Sequence, residues 1–162
     1  MVRSPLDRAL LAISLAAAGL WFIAMVGGHD SGAALFAKGL AVPALAAIAW
    51  RRQQVLLAAA LLLHGIGDVL IEGQFLAGMA AFLVGHLLYL ALFLKARRIP
   101  LPRLALVRMV LLGLLGAAAL TVLSHHLEGV LALAVPIYGL ALLFMAASAQ
   151  LSRHGQDRKS VV

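Results

Sequence analysis

Six long apolar runs separated by short polar breaks constrain this chain more than any other feature. They occupy residues 9–26, 33–50, 55–71, 75–94, 104–123 and 130–150, and each is long enough to cross about 30 Å of hydrocarbon as a helix. The breaks, at 27–32, 51–54, 72–74, 95–103 and 124–129, are short enough to force neighbouring helices antiparallel. The third and fourth runs then form a tight helical hairpin. Composition agrees: 64% of residues are hydrophobic and 12% charged, with a mean hydropathy of +1.06, against a charged fraction of about 25% in soluble domains. The expected fold is all-α, a polytopic transmembrane bundle of about six helices forming one domain over residues 1–150, with a polar cytoplasmic tail at 151–162.

Orientation follows from the positive charges, because cytoplasmic loops retain Lys and Arg. Arg3 and Arg8 precede the first run, and Arg51 and Arg52 occupy the second break. Lys95, Arg97, Arg98 and Arg103 occupy the fourth break, and Arg153, Arg158 and Lys159 the tail, whereas the first, third and fifth breaks carry neither Lys nor Arg. This alternation predicts both termini in the cytoplasm. It accounts for nearly all of the +7 net charge, so nucleic acid is not needed as a partner. Arg108, about one turn inside the fifth run, reads as a residue that snorkels toward anionic head groups. The first run exceeds the 7 to 15 residues of a signal h-region and is kept as a transmembrane helix. With no cysteine, the chain has no disulfide, thiolate metal site or Cys nucleophile. The compact Ala-, Leu- and Arg-rich chain suits a bacterial inner membrane.

Ionisable groups inside hydrocarbon are expensive and normally face a partner, a cavity or chemistry. His64, Asp68 and Glu72 recur every four residues on one side of the third run, and His86 and Tyr89, three apart, share a side of the fourth. From a helical rise of about 1.5 Å per residue, Lys38 and Asp68 lie roughly 6 to 9 Å from the non-cytoplasmic side, at a depth where they can pair. His64, His86 and Tyr138 lie deeper, at roughly 12 to 17 Å. Gly65, Gly67, Gly78 and Gly85 let neighbouring backbones approach closely. A single polar pocket between spans two, three and four, with span six nearby, is the expected result. Each residue also has a plainer reading: Lys38 with Asp68 as an interhelical ion pair, Glu72 as a solvated loop residue, the histidines as interhelical hydrogen bonds, and Tyr89 and Tyr138 as ordinary core. His125 and His126 read as surface.

These residues carry a resemblance. Gly67-Asp68-Val69-Leu70, Phe75-Leu76-Ala77-Gly78, Phe82 and Gly85-His86-Leu87-Leu88-Tyr89 are similar, in order and spacing, to the hairpin signature of the YhhN family of lysoplasmalogenases. Ala37-Lys38-Gly39-Leu40 resembles the family's Lys-Pro-Leu, with Gly39 in place of the proline, and Pro136-Ile137-Tyr138 with Phe144-Met145 resembles its Tyr-and-Met helix. Family members usually continue through two further helices, the last with a Ser-Asp pair supplying a second intramembrane acid. The chain therefore reads as a shortened homologue, with no second span-embedded Asp.

The resemblance implies hydrolysis of the vinyl ether bond of a lysoplasmalogen, a lysophospholipid substrate, to a fatty aldehyde and a glycerophospho-base. Protonation of the vinyl β-carbon gives an oxocarbenium ion, water captures it, and the hemiacetal collapses. The reaction needs an acid and a negative or dipolar group for the cation, much as paired carboxylates serve glycosidases. Burial favours a neutral carboxyl, which fits Asp68 as the acid. A nearby Lys38 ammonium favours the carboxylate, which fits Asp68 to stabilising the cation or directing water and leaves His86 or His64 as proton donor. Alternatively Lys38 binds the substrate phosphate, with Tyr89 orienting His86 or the head group; Tyr138 and Glu72 complete the substrate-binding set. No cofactor is required and no metal is expected, although two His and one Asp are also a possible Zn donor set. The alternatives are a non-catalytic YhhN-like membrane protein and a small proton-coupled transporter.

Overall fold

A computed structural model of the chain describes residues 4–28, 32–96 and 103–152. The helices are α1 (Pro5–Val26), α2 (Gly32–Arg51), α3 (Val55–Gly73), α4 (Phe75–Lys95), α5 (Arg103–Ser124) and α6 (Leu131–Leu151). All six are long and apolar enough to span a membrane, and among the described residues no strand element accompanies them. The protein is thus an all-helical, multi-pass membrane protein. Arg3, Arg97, Arg98, Arg153, Arg158, Lys159 and all but the first two residues of the expected tail lie outside the described residues.

The distribution of side chains is that of a chain solvated by lipid. Among the described residues the buried hydrophobic ones are all alanines, including Ala17, Ala37, Ala44, Ala58 and Ala60, while Ile23, Phe36 and Leu115 are about 70% exposed. In lipid, large apolar side chains gain nothing by leaving the surface, and helices associate where small residues let backbones approach.

The chain divides into two compact units, Met1–Leu88 and Tyr89–Val162. In the first, α2 packs against both α1 and α3. The Ser14 hydroxyl on α1 donates to the Ala41 carbonyl on α2 at 2.6 Å. Pro43 lies inside α2, and Gly65 on α3 makes room for its ring: a Cβ at Gly65 would sit 2.6 Å from Pro43 Cγ and Cδ. The third and fourth helices form the expected hairpin, with one difference. Helix α3 runs to Gly73, so Glu72 belongs to its last turn and Gln74 alone connects to α4. The Gln74 N–H donates to the Leu70 carbonyl at 2.7 Å, and the Gln74 carbonyl accepts from the Gly78 N–H at 2.9 Å. Those bonds satisfy terminal groups that a longer loop would leave to water. In the second unit α5 packs on α6, where Gly116 faces Leu143 and Gly139 faces Leu120.

Candidate functional site

The middle of the α3–α4 hairpin brings two histidines together. His64 Nδ1 lies 2.7 Å from the Ala60 carbonyl, and His86 Nδ1 lies 2.6 Å from the Phe82 carbonyl, each one turn back on its own helix. A carbonyl oxygen only accepts, so both Nδ1 atoms donate and each ring is turned the same way relative to its helix. The Nε2 atoms then face each other at 3.5 Å. The rings meet edge-on, centroids 4.6 Å apart at 63°, and Phe82 packs on His64 in a similar arrangement at 5.5 Å.

Glycines make this approach possible. A Cβ at Gly85 would lie 2.6 Å from His64 Cε1 and Nδ1, and one at Gly67 would lie 3.0 Å from the Phe82 ring. A Cβ at Gly78 would lie 2.7 Å from the Ile71 N and Cα, so backbone meets backbone nearer the hairpin turn. The Gly, Phe and His positions of the hairpin signature are therefore one packing unit: glycines admit the rings, and the Phe82 carbonyl orients His86.

Toward the hairpin turn, Lys38 Nζ donates to Glu72 Oε1 at 2.6 Å and lies 5.6 Å from the Trp21 ring centroid, within cation–π range. This corrects the expected partner: Lys38 pairs with Glu72, one turn farther out than Asp68. The four-carbon stem of a lysine buries along apolar surface while its head seeks the wetter end, and Glu72, 55% exposed at its side chain, supplies an acceptor there. Asp68 lies half-buried between the two clusters, four residues from His64 and four from Glu72. Among the described residues no three of His, Cys, Asp and Glu gather into a metal-ligand set, so Asp68 does not join the histidines as a third donor. An apolar groove of about 390 Å³ runs beside this cluster, lined by Gly32, Leu35, Phe36, Gly39, Leu40 and Val69.

Tyr89 and Tyr138 belong to the second unit. Both are half-buried, and Tyr89 stacks on Phe93 with centroids 6.4 Å apart. His125 and His126 are exposed in the turn after α5, as expected.

Two features were not legible from residue spacing. Trp21 joins the Lys38 cluster from α1, which only tertiary packing reveals. Asp7 is buried at the start of α1, where Ser4 caps the helix by accepting from the Asp7 N–H at 3.0 Å. The Asp7 carboxylate accepts from Arg52 Nη2 at 2.9 Å and lies 3.5 Å from Arg51 Nε. The arginines read as topology signals thus also tie α1 to the α2–α3 turn. The signal available was an acidic residue one turn into an apolar helix, opposite a basic break.

These features define a class: a multi-pass helical membrane protein with ionisable groups gathered inside its first four helices. A sequence model of the YhhN family matches residues 33–160, nearly the whole chain, and the protein belongs to that family. Comparison with curated proteins and with solved structures gave no match.

Proposed function

We propose that this protein is a membrane-embedded hydrolase that cleaves the vinyl ether bond of lysoplasmalogens, releasing a fatty aldehyde and a glycerophospho-base. The observation that carries this reading is the approach of His64 Nε2 to His86 Nε2, with Asp68 one turn away on α3. Acid-assisted hydration of a vinyl ether needs a proton donor and a group that stabilises the oxocarbenium ion, and the histidines and Asp68 fill those roles. Asp68, one turn from His64 on α3, orients the attacking water.

Lys38 has three donors, and Glu72 uses one, so the substrate phosphate takes another while Glu72 and Trp21 hold the ammonium in place. Glu72 also offers its carboxylate to a cationic head group. The groove beside Gly39 and Val69 is a berth for the single hydrocarbon chain, entered laterally from the bilayer. The arginine-bearing ends of the helices face the cytoplasm in this reading, with both termini on that side and the Lys38 end in the outer half of a bacterial plasma membrane.

The test is release of fatty aldehyde from a vinyl-ether lysolipid by purified protein, with an acyl lysolipid as control. Asp68→Asn, which keeps the shape and removes the charge, is expected to lower turnover at least on the order of a hundredfold. Wild-type protein that binds the lysolipid without releasing aldehyde would replace this reading with that of a non-catalytic relative.

A further inference from the structure

We infer that His64 and His86 act as one acid: they hold a single proton between their Nε2 atoms, and this shared proton is the one delivered to the β-carbon of the vinyl ether. The delivery step rests on the hydrolase reading above, whereas the shared proton rests on geometry alone.

The argument is one of donors and acceptors. Each Nδ1 is committed as a donor, to the Ala60 and Phe82 carbonyls respectively. Each ring can then vary only at Nε2, and the two Nε2 atoms are 3.5 Å apart. If neither carries a proton, two lone pairs face each other. If both do, two imidazolium cations face each other inside an apolar helical hairpin, where like charges repel strongly. With one proton, Nε2–H of one ring points at the Nε2 lone pair of the other, and the contact becomes attractive. The 3.5 Å separation is long for such a bond, as catalytic hydrogen bonds often are before substrate binds.

Other ionisable groups lie on the packed elements. Asp68 and Glu72 lie on α3 with His64, Lys38 faces them from α2 and is paired with Glu72, and α4 adds Tyr89 one turn beyond His86. Gly85 is the positioning residue, since a Cβ there would occupy the space of the His64 ring.

The cycle balances. The vinyl π electrons take the shared proton to form the new C–H bond, leaving two neutral imidazoles and an oxocarbenium ion. Water directed by Asp68 adds to the oxygen-bearing carbon, and its proton returns to the histidine pair. Transfer of the hemiacetal hydroxyl proton to the glycerol oxygen, with cleavage of that C–O bond, gives the aldehyde and the free glycerol hydroxyl.

The test is ¹⁵N NMR of the full chain labelled at its histidine rings, in lipid nanodiscs, across the imidazole titration range, with His64→Gln and His86→Gln assigning the signals. The expected result is that both Nδ1 signals stay protonated throughout while both Nε2 signals move together, the pair taking up one proton. Gly85→Ala is expected to keep both imidazoles but separate the two titrations. Two independent one-proton titrations in the wild type, or either ring protonated at Nε2 with a bare Nδ1, would overturn the proposal. So would a metal ion bound by the purified chain whose removal by chelator shifts both Nε2 signals. For delivery, each single Gln variant is expected to lose on the order of a hundredfold in turnover, and the double variant no more. Full turnover in both single variants would overturn the acid role. A shared titration in a protein that releases no aldehyde would leave the proton in place and remove the hydrolase reading instead.

Discussion

Lys38 and Glu72 lie so close that their pairing invites a stability argument, yet exposure decides against one. The Glu72 side chain is 55% exposed, and ion pairs in that setting contribute at most about 1 kcal/mol. Glu72→Gln is therefore expected to leave the thermal midpoint in detergent nearly unchanged. Lys38→Met removes a cation that the proposed mechanism uses to hold phosphate. It is expected to raise KM about tenfold, equivalent to about 1.4 kcal/mol of binding, with a smaller change in kcat. Steady-state kinetics with a phosphate-bearing lysolipid and a phosphate-free vinyl ether would separate the two, because only the first should respond. Asp7 contrasts with Glu72: it is buried and held by two arginines, so Asp7→Ala is expected to lower the melting temperature measurably where Glu72→Gln does not.

At the scale of elements, the hairpin depends on glycines that are not interchangeable. At Gly78 an added methyl would meet the backbone of Ile71 at 2.7 Å, and backbone cannot rotate aside. Gly78→Ala should cost about 1 to 3 kcal/mol by forcing α3 and α4 apart. At Gly19 and Gly113 an added methyl meets nothing within 4 Å, and alanine there should stabilise by up to about 1 kcal/mol through helix propensity. The α2–α3 turn holds the opposite case. Gln53 has φ of +59°, a left-handed conformation that suits glycine, and Gln53→Gly should gain roughly 1 kcal/mol. Unfolding in mixed micelles by denaturant would rank these variants, and a Gly78→Ala variant as stable as wild type would contradict the packing described for the hairpin.

The whole molecule has a property that makes its topology directly measurable: it contains no cysteine. Single cysteines at Gln53 and Gln74 lie at opposite ends of α3, so an impermeant thiol reagent should label one from outside and the other only after permeabilisation. Charge alternation predicts that Gln74→Cys is the one reached from outside, and Glu128→Cys, in the fifth break, should behave like it. Reversal of that pattern would place the Lys38 cluster in the cytoplasmic half and move the proposed lipid entry to the other leaflet.

The number, order and approximate ends of the helices were legible in the sequence because they depend on local quantities: the hydrocarbon thickness sets the run length, and polar breaks interrupt the runs. The helical repeat put His64, Asp68 and Glu72 on one side of α3 and led to a single expected pocket, whereas the structure divides them: His64 meets His86 on α4, and Glu72 meets Lys38 on α2. Helix α3 runs two residues past the apolar run, because Glu72 and Gly73 continue the helix and Gln74 closes the turn. Partner choice was out of reach. Whether Lys38 meets Asp68 or Glu72, whether two imidazoles meet at Nε2, and whether Trp21 and Asp7 find cations all depend on the rotation and axial register of one helix against another. Those are decided by a few close contacts between residues distant in the chain, such as Gly39 with Val69, Gly65 with Pro43 and Gly85 with His64. An apolar sequence without a one-sided hydrophobic stripe carries little local trace of rotation, because in lipid every face of a helix is equally well solvated, and only the fit of small residues between helices selects one.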